Sequence, residues 1–430
     1  MAKILLVSAG FQGILNCSLA LSKRLAKMGH EITHANPGDH KAKVEREGFP
    51  YFQLPPMYNP PKKERRFWGL LKPISSEKKL LGQIEFEEIL QLVEPDLVIA
   101  DIEFHEVIFT ASGLSFPVVL LSPWFNHLSN DALPPLNSYL TPATNAEDLK
   151  ELDFIRSTRK NKMNAKFKYN SNANLGSSRV AVLLRYAEQC DFSLNQLDYY
   201  NWPPPFTHSS LPLLLANLEE LEFPHEKPLN HFYIGPQVWK NQNRQLDPNL
   251  REFLDRAKLR GDKIIYASAG TLSSAYAQFF ERLVLAMRDK SDCSLVLSFG
   301  KSTRPNMKEY ENIFADSFLP QFDILQEADL CIHHAGINTI NECLLLGVPS
   351  LIYTHGKHDQ PGCSARMQYQ EMAYVGDIRN DDSASISRNI DKALADTALA
   401  TRTRRMGELI GSKGYDERLQ LLIESTISNH

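Results

Sequence analysis

The sequence predicts an α/β fold with two doubly wound domains that face each other across a cleft. Short apolar runs that suit buried parallel strands alternate with segments of helical periodicity in both halves of the chain. The length of 430 residues exceeds what one hydrophobic core usually organises, so two domains are expected. Hydrophobic residues make up 43% of the chain and charged residues 23%, which excludes a disordered or collagen-like protein.

The first half opens with a βαβ unit. Residues 3–9 form an apolar run that predicts a strand, and a glycine-containing loop from Gly10 to Gly13 follows it. Apolar residues then recur at helical spacing from Leu15 to Met28, and Gly29 ends the predicted helix. Further strands of this half are predicted at 31–35, 96–100 and 116–121. Such strand–helix alternation indicates a parallel sheet.

The second half repeats this alternation. Its strands are predicted at 263–267, 294–298, 329–333 and 348–353, with a helix at about 275–288. The chain is therefore divided into an N-terminal domain (1–235), a linker (236–250), a C-terminal domain (251–412) and a C-terminal helix (413–430) expected to pack back on the N-terminal domain. Residues 126–210 alternate poorly and predict an insertion with some helices. Ligands of open parallel sheets bind beyond the carboxyl ends of the strands, so the cleft is the expected site.

Composition limits the classes of partner. The formal net charge of −4 argues against a nucleic-acid-binding protein, which usually carries a basic excess. The six cysteines show neither a CxxC pair nor zinc spacing, so buried free thiols in a reducing compartment are expected. No apolar run reaches the roughly 18 residues of a transmembrane helix, and the opening run is too short for a signal-peptide core. We therefore expect a cytoplasmic protein.

The most informative segment follows a predicted strand of the second half. Gly336 stands where that strand turns into a helix, so Asn338 and Thr339 fall at the helix N-terminus. Free backbone amides and the helix dipole favour an anion there. His334 leaves the strand end towards the same place, and Glu342 lies one helical turn after Asn338, where it can accept hydrogen bonds from a ribose diol. Together these residues predict a site for a nucleoside diphosphate.

The same segment carries a resemblance to a known family. With three neighbouring motifs it resembles the donor signature of family 1 glycosyltransferases of the GT-B fold; the motifs are Pro320-Gln321, Gly347–Pro349 and Asp359-Gln360. Ile234–Pro236 resembles the family's domain junction, and the helix after Asp359 is similar to that of bacterial zeaxanthin and macrolide glycosyltransferases. The resemblance implies two Rossmann-like domains, of which 1–235 binds the acceptor and 251–412 binds the nucleotide sugar.

The resemblance also implies roles for single residues. Phe318 would pack on the base, Gln321 and Glu342 would bind the ribose, and His334 would contact the α-phosphate. The other donor-binding residues it implies are Thr271, Asn338 and Thr339 near the β-phosphate, Asp359 and Gln360 at the sugar hydroxyls, and Gly13 and Gly336 in the glycine loops. No metal or cofactor is implied, because the helix N-terminus and side-chain donors would neutralise the diphosphate.

The sequence departs from the family where the catalytic base is expected. The family places a histidine after the glycine of the first loop, and that position is Ile14 here, which cannot accept a proton. The aspartate that supports the histidine is present as Asp101. We predict Asp101 as the base, with Glu103, His105 and His127 as alternatives. An acceptor that is already ionised would need no base.

These observations predict an inverting glycosyltransferase that uses a nucleotide diphosphate sugar, with a UDP-sugar favoured. The acceptor would be small and apolar or amphipathic. Two basic segments, at 62–68 and 156–168, fit an anionic acceptor or peripheral contact with an anionic membrane, or are solvated faces. The alternatives are a catalytically silent nucleotide-sugar binder, which could be a partner subunit of an active transferase, and a GT-B sugar epimerase. Ile14 is the main support for the silent binder.

Overall fold

A computed structural model describes residues 1–58, 77–126, 133–173, 178–198, 207–238, 246–269, 276–305 and 310–428. The strands of the first half are β1 (Lys3–Val7), β2 (Glu31–Asn36), β3 (Tyr51–Gln53), β4 (Leu97–Asp101), β5 (Val118–Ser122), β6 (Leu197–Asp198), β7 (Thr207–His208), β8 (Leu213–Leu215) and β9 (His231–Tyr233). Seven of them form a parallel sheet in the order β3-β2-β1-β4-β5-β8-β9, while β6 and β7 form a short antiparallel pair.

Helices cover both faces of this sheet. They are α1 (Gln12–Lys27), α2 (Lys41–Arg46), α3 (Glu77–Leu80), α4 (Gln83–Val93), α5 (His105–Gly113), α6 (Ala146–Ala173) and α7 (Arg179–Gln189). Because both faces are covered, every residue of β4 and β5 is buried, which explains why these strands are almost wholly apolar. The predicted insertion supplies α6 and α7, and α7 packs Leu183 and Tyr186 into the core beside Phe109.

The second half forms a parallel sheet of six strands in the order β12-β11-β10-β13-β14-β15. These strands are β10 (Lys263–Ser268), β11 (Cys293–Ser298), β12 (Ile313–Asp316), β13 (Leu330–His333), β14 (Ser350–Ile352) and β15 (Ala373–Val375). The helices are α8 (Pro248–Arg260), α9 (Ala277–Arg288), α10 (Gln321–Leu325), α11 (Ile337–Leu346), α12 (Gln360–Tyr369), α13 (Ser383–Ala395), α14 (Thr397–Ser412) and α15 (Tyr415–Ser428).

The predicted fold class, two doubly wound α/β domains, is confirmed by these two sheets. The strands absent from the prediction are β3, β6, β7, β8, β9, β12 and β15, which have two to four residues each. Strands this short offer too few positions for a periodic pattern to stand out. None of the helices in the described ranges combines the length and apolar character that crossing a bilayer requires.

The junction between the halves is closed by the C-terminal helix. Gly235 has a φ of +73°, and a Cβ atom there would lie 2.6 Å from the ring of Tyr415 at the start of α15. Arg24 on α1 donates to the carbonyl of Ile234 at 2.7 Å and to the carboxylate of Asp416 at 2.8 Å. Helix α15 thus packs on the first sheet, although it follows the second in sequence. The limits of the predicted domains stay predictions, and residues 239–245 of the predicted linker lie outside the described ranges.

A buried ion pair between Arg366 and Glu222 also joins the two halves. Arg366 on α12 is fully buried and donates from Nε to the carboxylate of Glu222 at 2.9 Å and from Nη2 to the carbonyl of Asn126 at 3.0 Å. Its guanidinium carbon lies 4.4 Å from the ring centroid of Phe223 and 5.2 Å from that of Phe125. One side chain of the second half is therefore held by four residues of the first.

Replacing Arg366 by leucine is expected to lower the free energy of unfolding by about 3–5 kcal/mol, because the Glu222 carboxylate would stay buried without a positive charge beside it. The double variant R366L/E222L removes both charges and is expected to regain part of that loss. Differential scanning calorimetry measures the unfolding midpoints, which should be highest for the wild type, lower for the double variant and lowest for the single variant. Arg388→Leu, at an exposed position on α13, is the matched control. Equal midpoints for the single and double variants would contradict the interpretation.

Candidate active site

The turn from β13 into α11 forms the centre of the candidate site. Gly336 is the N-cap of α11, and no side chain caps the helix at this position. Ala335 before it has a φ of +65°, a strained conformation for a residue with a Cβ atom. The Ala335 amide donates to Nδ1 of His333 at 3.1 Å, which fixes this turn. The first amides of α11 are thus left for a ligand, as the sequence predicts.

His334 lies against the backbone of this turn. A Cβ atom on Gly336 would stand 2.7 Å from its Nε2 atom, so only glycine leaves room for the imidazole. The ring of Tyr276 meets the His334 ring edge-on, with centroids 6.3 Å apart. Burial lowers the pKa of His334 to about 4, although a hydrogen bond with the Ser268 backbone acts in the opposite direction. The imidazole is therefore neutral at pH 7 and has a single N–H, which a phosphate would have to accept in place of the Ser268 backbone.

The predicted ribose-binding residues meet in one cluster. Nε2 of Gln321 lies 2.6 Å from Oε2 of Glu342 and 3.2 Å from Oγ1 of Thr339. The hydroxyl of Tyr266 donates to Oε1 of Gln321 at 3.3 Å, which orients the amide. Burial raises the pKa of Glu342 to about 7, and the hydrogen bond from Gln321 only partly offsets this effect. The cluster presents a carboxylate that could accept hydrogen bonds from a diol.

The glycine loop of the first half reaches this cluster across the cleft. Nδ2 of Asn338 donates to the carbonyl oxygen of Gly13 at 3.1 Å. A Cβ atom on Gly13 would lie 3.2 Å from the same nitrogen, so the contact leaves little space for a side chain. The N-terminal ends of α1 and α11 therefore approach each other.

The other predicted donor-binding residues lie around this centre. Asp359 is the residue directly before α12, and burial raises the pKa of its carboxyl group. His358, which precedes it, has a φ of +55°. Gln360 accepts a hydrogen bond from the Thr354 hydroxyl at 2.7 Å, which leaves its amide N–H groups for a ligand. Phe318 follows β12 and is 50% exposed, as expected of an aromatic ring that receives a base. Thr271 lies outside the described residues.

Asp101, the predicted base, is held by the backbone. This residue is 1% exposed, and both of its carboxylate oxygens accept backbone amides. Oδ2 accepts from Ala9 at 3.2 Å and Oδ1 from Glu103 at 2.9 Å. Asp101 thus joins the loop after β1 to the loop after β4, which is the geometry of a positioning residue, and its role as the base stays a prediction. Ile14 is buried on α1.

Two histidines and the basic segments were also named from the sequence. His105 is fully buried, and its Nδ1 lies 3.0 Å from Nε2 of His208. His127 and the basic segment 62–68 lie outside the described residues. In the other basic segment, Arg156 donates to the carbonyl of Leu133 and faces Asp153 at 3.7 Å. At least this cation therefore has a structural partner within the protein.

Three buried side chains that could in principle hold a metal ion lie close together near this turn. The ligand atoms of Cys331, His333 and Cys343 are all within 4.8 Å of one another, and all three residues are buried. Nδ1 of His333 accepts the Ala335 amide, so the imidazole proton is on Nε2. A metal ion would need the Nε2 lone pair. With this hydrogen bond in place, the cluster fits core packing better than metal binding. All six cysteines are free thiols, as expected.

Sequence reasoning missed the residues that orient the site from other elements. Tyr266 on β10 and Tyr276 before α9 support Gln321 and His334, but both occur in apolar runs typical of a core. Tyr276 also accepts the backbone amide of His355 at 3.3 Å. Only their hydroxyl groups distinguish them from core residues, because a buried tyrosine usually needs a hydrogen-bond partner.

Known proteins share this architecture. Residues 271–362, which include the turn into α11, match the family model "Glycosyltransferase family 28 C-terminal domain". NDP-glycosyltransferase YjiC of Bacillus subtilis (strain 168) is 22% identical over 96% of this chain and 94% of its own length. Oleandomycin glycosyltransferase of Streptomyces antibioticus is 27% identical, over 35% of this chain and 38% of its own.

Solved structures agree over the whole chain. The glycosyltransferase of kitacinnamycin has a TM-score of 0.72 at 19% identity, covering 99% of both chains. The calicheamicin glycosyltransferase CalG4 has a TM-score of 0.67 at 18% identity, covering 100% of this chain and 99% of its own. The chain is a glycosyltransferase of the GT-B fold. The resemblance to family 1 glycosyltransferases is thereby confirmed.

The raised pKa of Glu342 predicts pH-dependent donor binding by this glycosyltransferase. A ribose diol donates to the ionised carboxylate, so binding should weaken as pH falls below about 7, by a factor approaching ten per pH unit. Calorimetric titration with UDP-glucose, whose diphosphate does not ionise near neutral pH, measures this effect. Glu342→Gln should bind more weakly at pH 8 and lose the dependence between pH 6 and 8. A wild-type affinity that does not change over this range would contradict the assignment.

Proposed function

We propose that the glycosyltransferase moves a sugar from a nucleotide diphosphate sugar, with UDP-sugars favoured, to a hydroxyl of a small apolar or amphipathic acceptor, with inversion at the anomeric carbon. The observation that carries the proposal is the open end of α11, which faces the Gly13 loop across the cleft. Backbone amides, the neutral imidazole of His334 and the Glu342 cluster meet there. Together they supply donors for a diphosphate and an acceptor for a diol.

Inversion follows from a single displacement. The acceptor oxygen would attack the anomeric carbon from the side opposite the diphosphate, so the configuration reverses. The diphosphate would leave towards the N-terminus of α11, where the helix dipole and the amides stabilise its developing charge. Asp359 and Gln360 at the start of α12 would hold sugar hydroxyls, since the amide N–H groups of Gln360 are free to donate.

The names of similar proteins support a small natural product as the acceptor. Oleandomycin glycosyltransferase and the structures connected with kitacinnamycin and calicheamicin are all named after such compounds. Sterol 3-beta-glucosyltransferase of Komagataella phaffii is 22% identical over 49% of this chain but only 17% of its own length. An apolar or amphipathic alcohol is common to all of these names, so we assign the acceptor to that class.

We further propose that the transfer needs no metal ion. The diphosphate charge would be met by the amides of α11 and by the side chains of His334 and Asn338. Transfer should therefore continue at an unchanged rate in EDTA, measured as UDP release from UDP-glucose in the presence of a panel of macrolide, sterol and phenolic alcohols. Acceptor-dependent release is the expected result. Release that stops in EDTA and returns with magnesium would contradict the proposal.

His334→Ala should weaken UDP-glucose binding by about 1.5–3 kcal/mol, roughly ten- to hundred-fold, because it removes a hydrogen bond to a charged phosphate. His334→Gln keeps an N–H donor at this position and is expected to retain most of the affinity. Calorimetric titration measures both variants, and the unfolding midpoint of each apo protein serves as the control for folding. Equal affinities for the alanine variant and the wild type would remove His334 from the phosphate site.

A silent nucleotide-sugar binder is the second candidate, and the buried Ile14 supports it because no base stands at the usual position. The same assay separates the two functions. Tight UDP-glucose binding without UDP release across the whole acceptor panel would favour the binder. Conversion of the donor sugar in the absence of any acceptor would instead indicate an epimerase.

A further inference from the structure

We propose that Glu103, in the loop between β4 and α5, is the general base that takes the proton from the acceptor hydroxyl. This inference rests on the proposed transfer and adds to it the residue that replaces the missing histidine.

The backbone holds Glu103 at the edge of the cleft. Its amide donates to Oδ1 of Asp101 at 2.9 Å, while Oδ2 of Asp101 accepts the amide of Ala9 at 3.2 Å. Asp101 therefore ties the Glu103 loop to the loop that leads into α1 and carries Gly13. The Glu103 side chain is half-buried, and no hydrogen bond from a side chain or amide of the described ranges reaches its carboxylate. Unlike Asp101, it keeps its oxygens for a ligand.

Charges from both halves face this carboxylate. Asp101 acts on it from β4, Asp359 from the start of α12, and Arg179 from the start of α7. The guanidinium of Arg179 is already paired with both carboxylate oxygens of Glu106, at 3.0 and 2.8 Å. Because Asp359 is a predicted sugar-binding residue of the second half, its effect on Glu103 indicates that the two carboxyl groups lie near each other.

The same surroundings give Glu103 the proton affinity of a base. Burial and the charges of Asp101 and Asp359 raise its pKa to about 8, and Arg179 only partly opposes them. A base whose pKa lies near the working pH is strong enough to accept a proton and is still partly ionised. Since the ionised form is the active one, transfer should speed up as pH rises through about 8 and level off at higher pH.

The other described residues considered from the sequence do not fit, and His127 lies outside the described residues. Both oxygens of Asp101 are bound by backbone amides, and Ile14 has no basic atom. His105 is fully buried, its Nδ1 is in contact with His208, and its pKa is lowered well below the usual range. Glu103 is thus the candidate of the described ranges whose basic atoms are both uncommitted and accessible from the cleft.

The step balances without a further reagent. As the bond between the acceptor oxygen and the anomeric carbon forms, the bond between that carbon and the β-phosphate oxygen breaks. The hydroxyl proton passes to the Glu103 carboxylate, and the electron pair of the broken bond leaves with the nucleoside diphosphate. The neutral Glu103 then returns its proton to water.

Glu103→Gln tests the role, with Glu88→Gln at an exposed position on α4 as the matched control. The assay follows transfer from UDP-glucose to two phenols of similar size at pH 8. One is 4-methylphenol, which is neutral, and the other is 4-nitrophenol, which is largely ionised. We expect Glu103→Gln to lose at least roughly a hundred-fold in kcat with 4-methylphenol and to keep near wild-type rates with 4-nitrophenol. UDP-glucose affinity should not change in either variant.

The pH profile adds a second readout. Wild-type kcat/KM for 4-methylphenol should rise with a midpoint near pH 8 to a plateau above it, and Asp101→Asn, which removes the neighbouring charge, should move that rise to lower pH. Equal loss of both phenols in Glu103→Gln, or wild-type rates with both, would overturn the role of Glu103 while leaving the transfer intact. Absence of transfer by the wild-type protein would overturn the proposed function, and the base role with it.

Discussion

The relative position of the two lobes depends on the buried guanidinium of Arg366. It is bound by the Glu222 carboxylate and the Asn126 carbonyl, so movement of one lobe past the other would strand a charge inside the protein. The cost of an unpaired buried charge is several kcal/mol, which is large against the net stability of a folded domain. The contact of Gly13 with Asn338 lies in the same interface and relies on this alignment. A site shared between two lobes therefore needs one strong interaction that fixes their register.

Burial of the ionisable side chains changes their pKa values, so it determines the net charge of the site together with the residue types. Burial keeps His334 neutral and raises the pKa of Glu342 to about 7 and that of Glu103 to about 8. The cleft therefore carries less negative charge at neutral pH than its carboxyl groups would suggest. Protonation of Glu103 at neutral pH lowers the repulsion of a diphosphate, whereas Glu342 has to be ionised to accept the ribose hydroxyls. The amides of α11 can then bind the diphosphate with little help from cations.

The sequence alone predicted the structure and the chemistry of those segments in which a local apolar pattern and polar functional residues occur together. The apolar run of β13, Gly336 and the spacing from Asn338 to Glu342 predicted a strand, a turn and a helix with one polar face, and the structure brings these residues together. The choice between Asp101 and Glu103 could not be predicted, because the amide that occupies Asp101 comes from Ala9, 92 residues away. The short edge strands were missed for a related reason: neighbours distant in sequence stabilise them, whereas their own three residues carry no period.

The packing of α1 explains why the base would have moved to the β4 loop. Ile14 and Cys17 are buried on α1 and belong to the apolar interior, so a charged or polar base there would have to be taken out of water. The β4 loop lowers that cost, since Glu103 is only half-buried and Asp101 holds its backbone amide. The charge of Asp101 also strengthens the proton affinity of its neighbour, so one carboxylate both positions and tunes the other. In this arrangement the reacting hydroxyl would lie between Glu103 on one lobe and Asp359 on the other, which ties the chemistry to the alignment of the lobes.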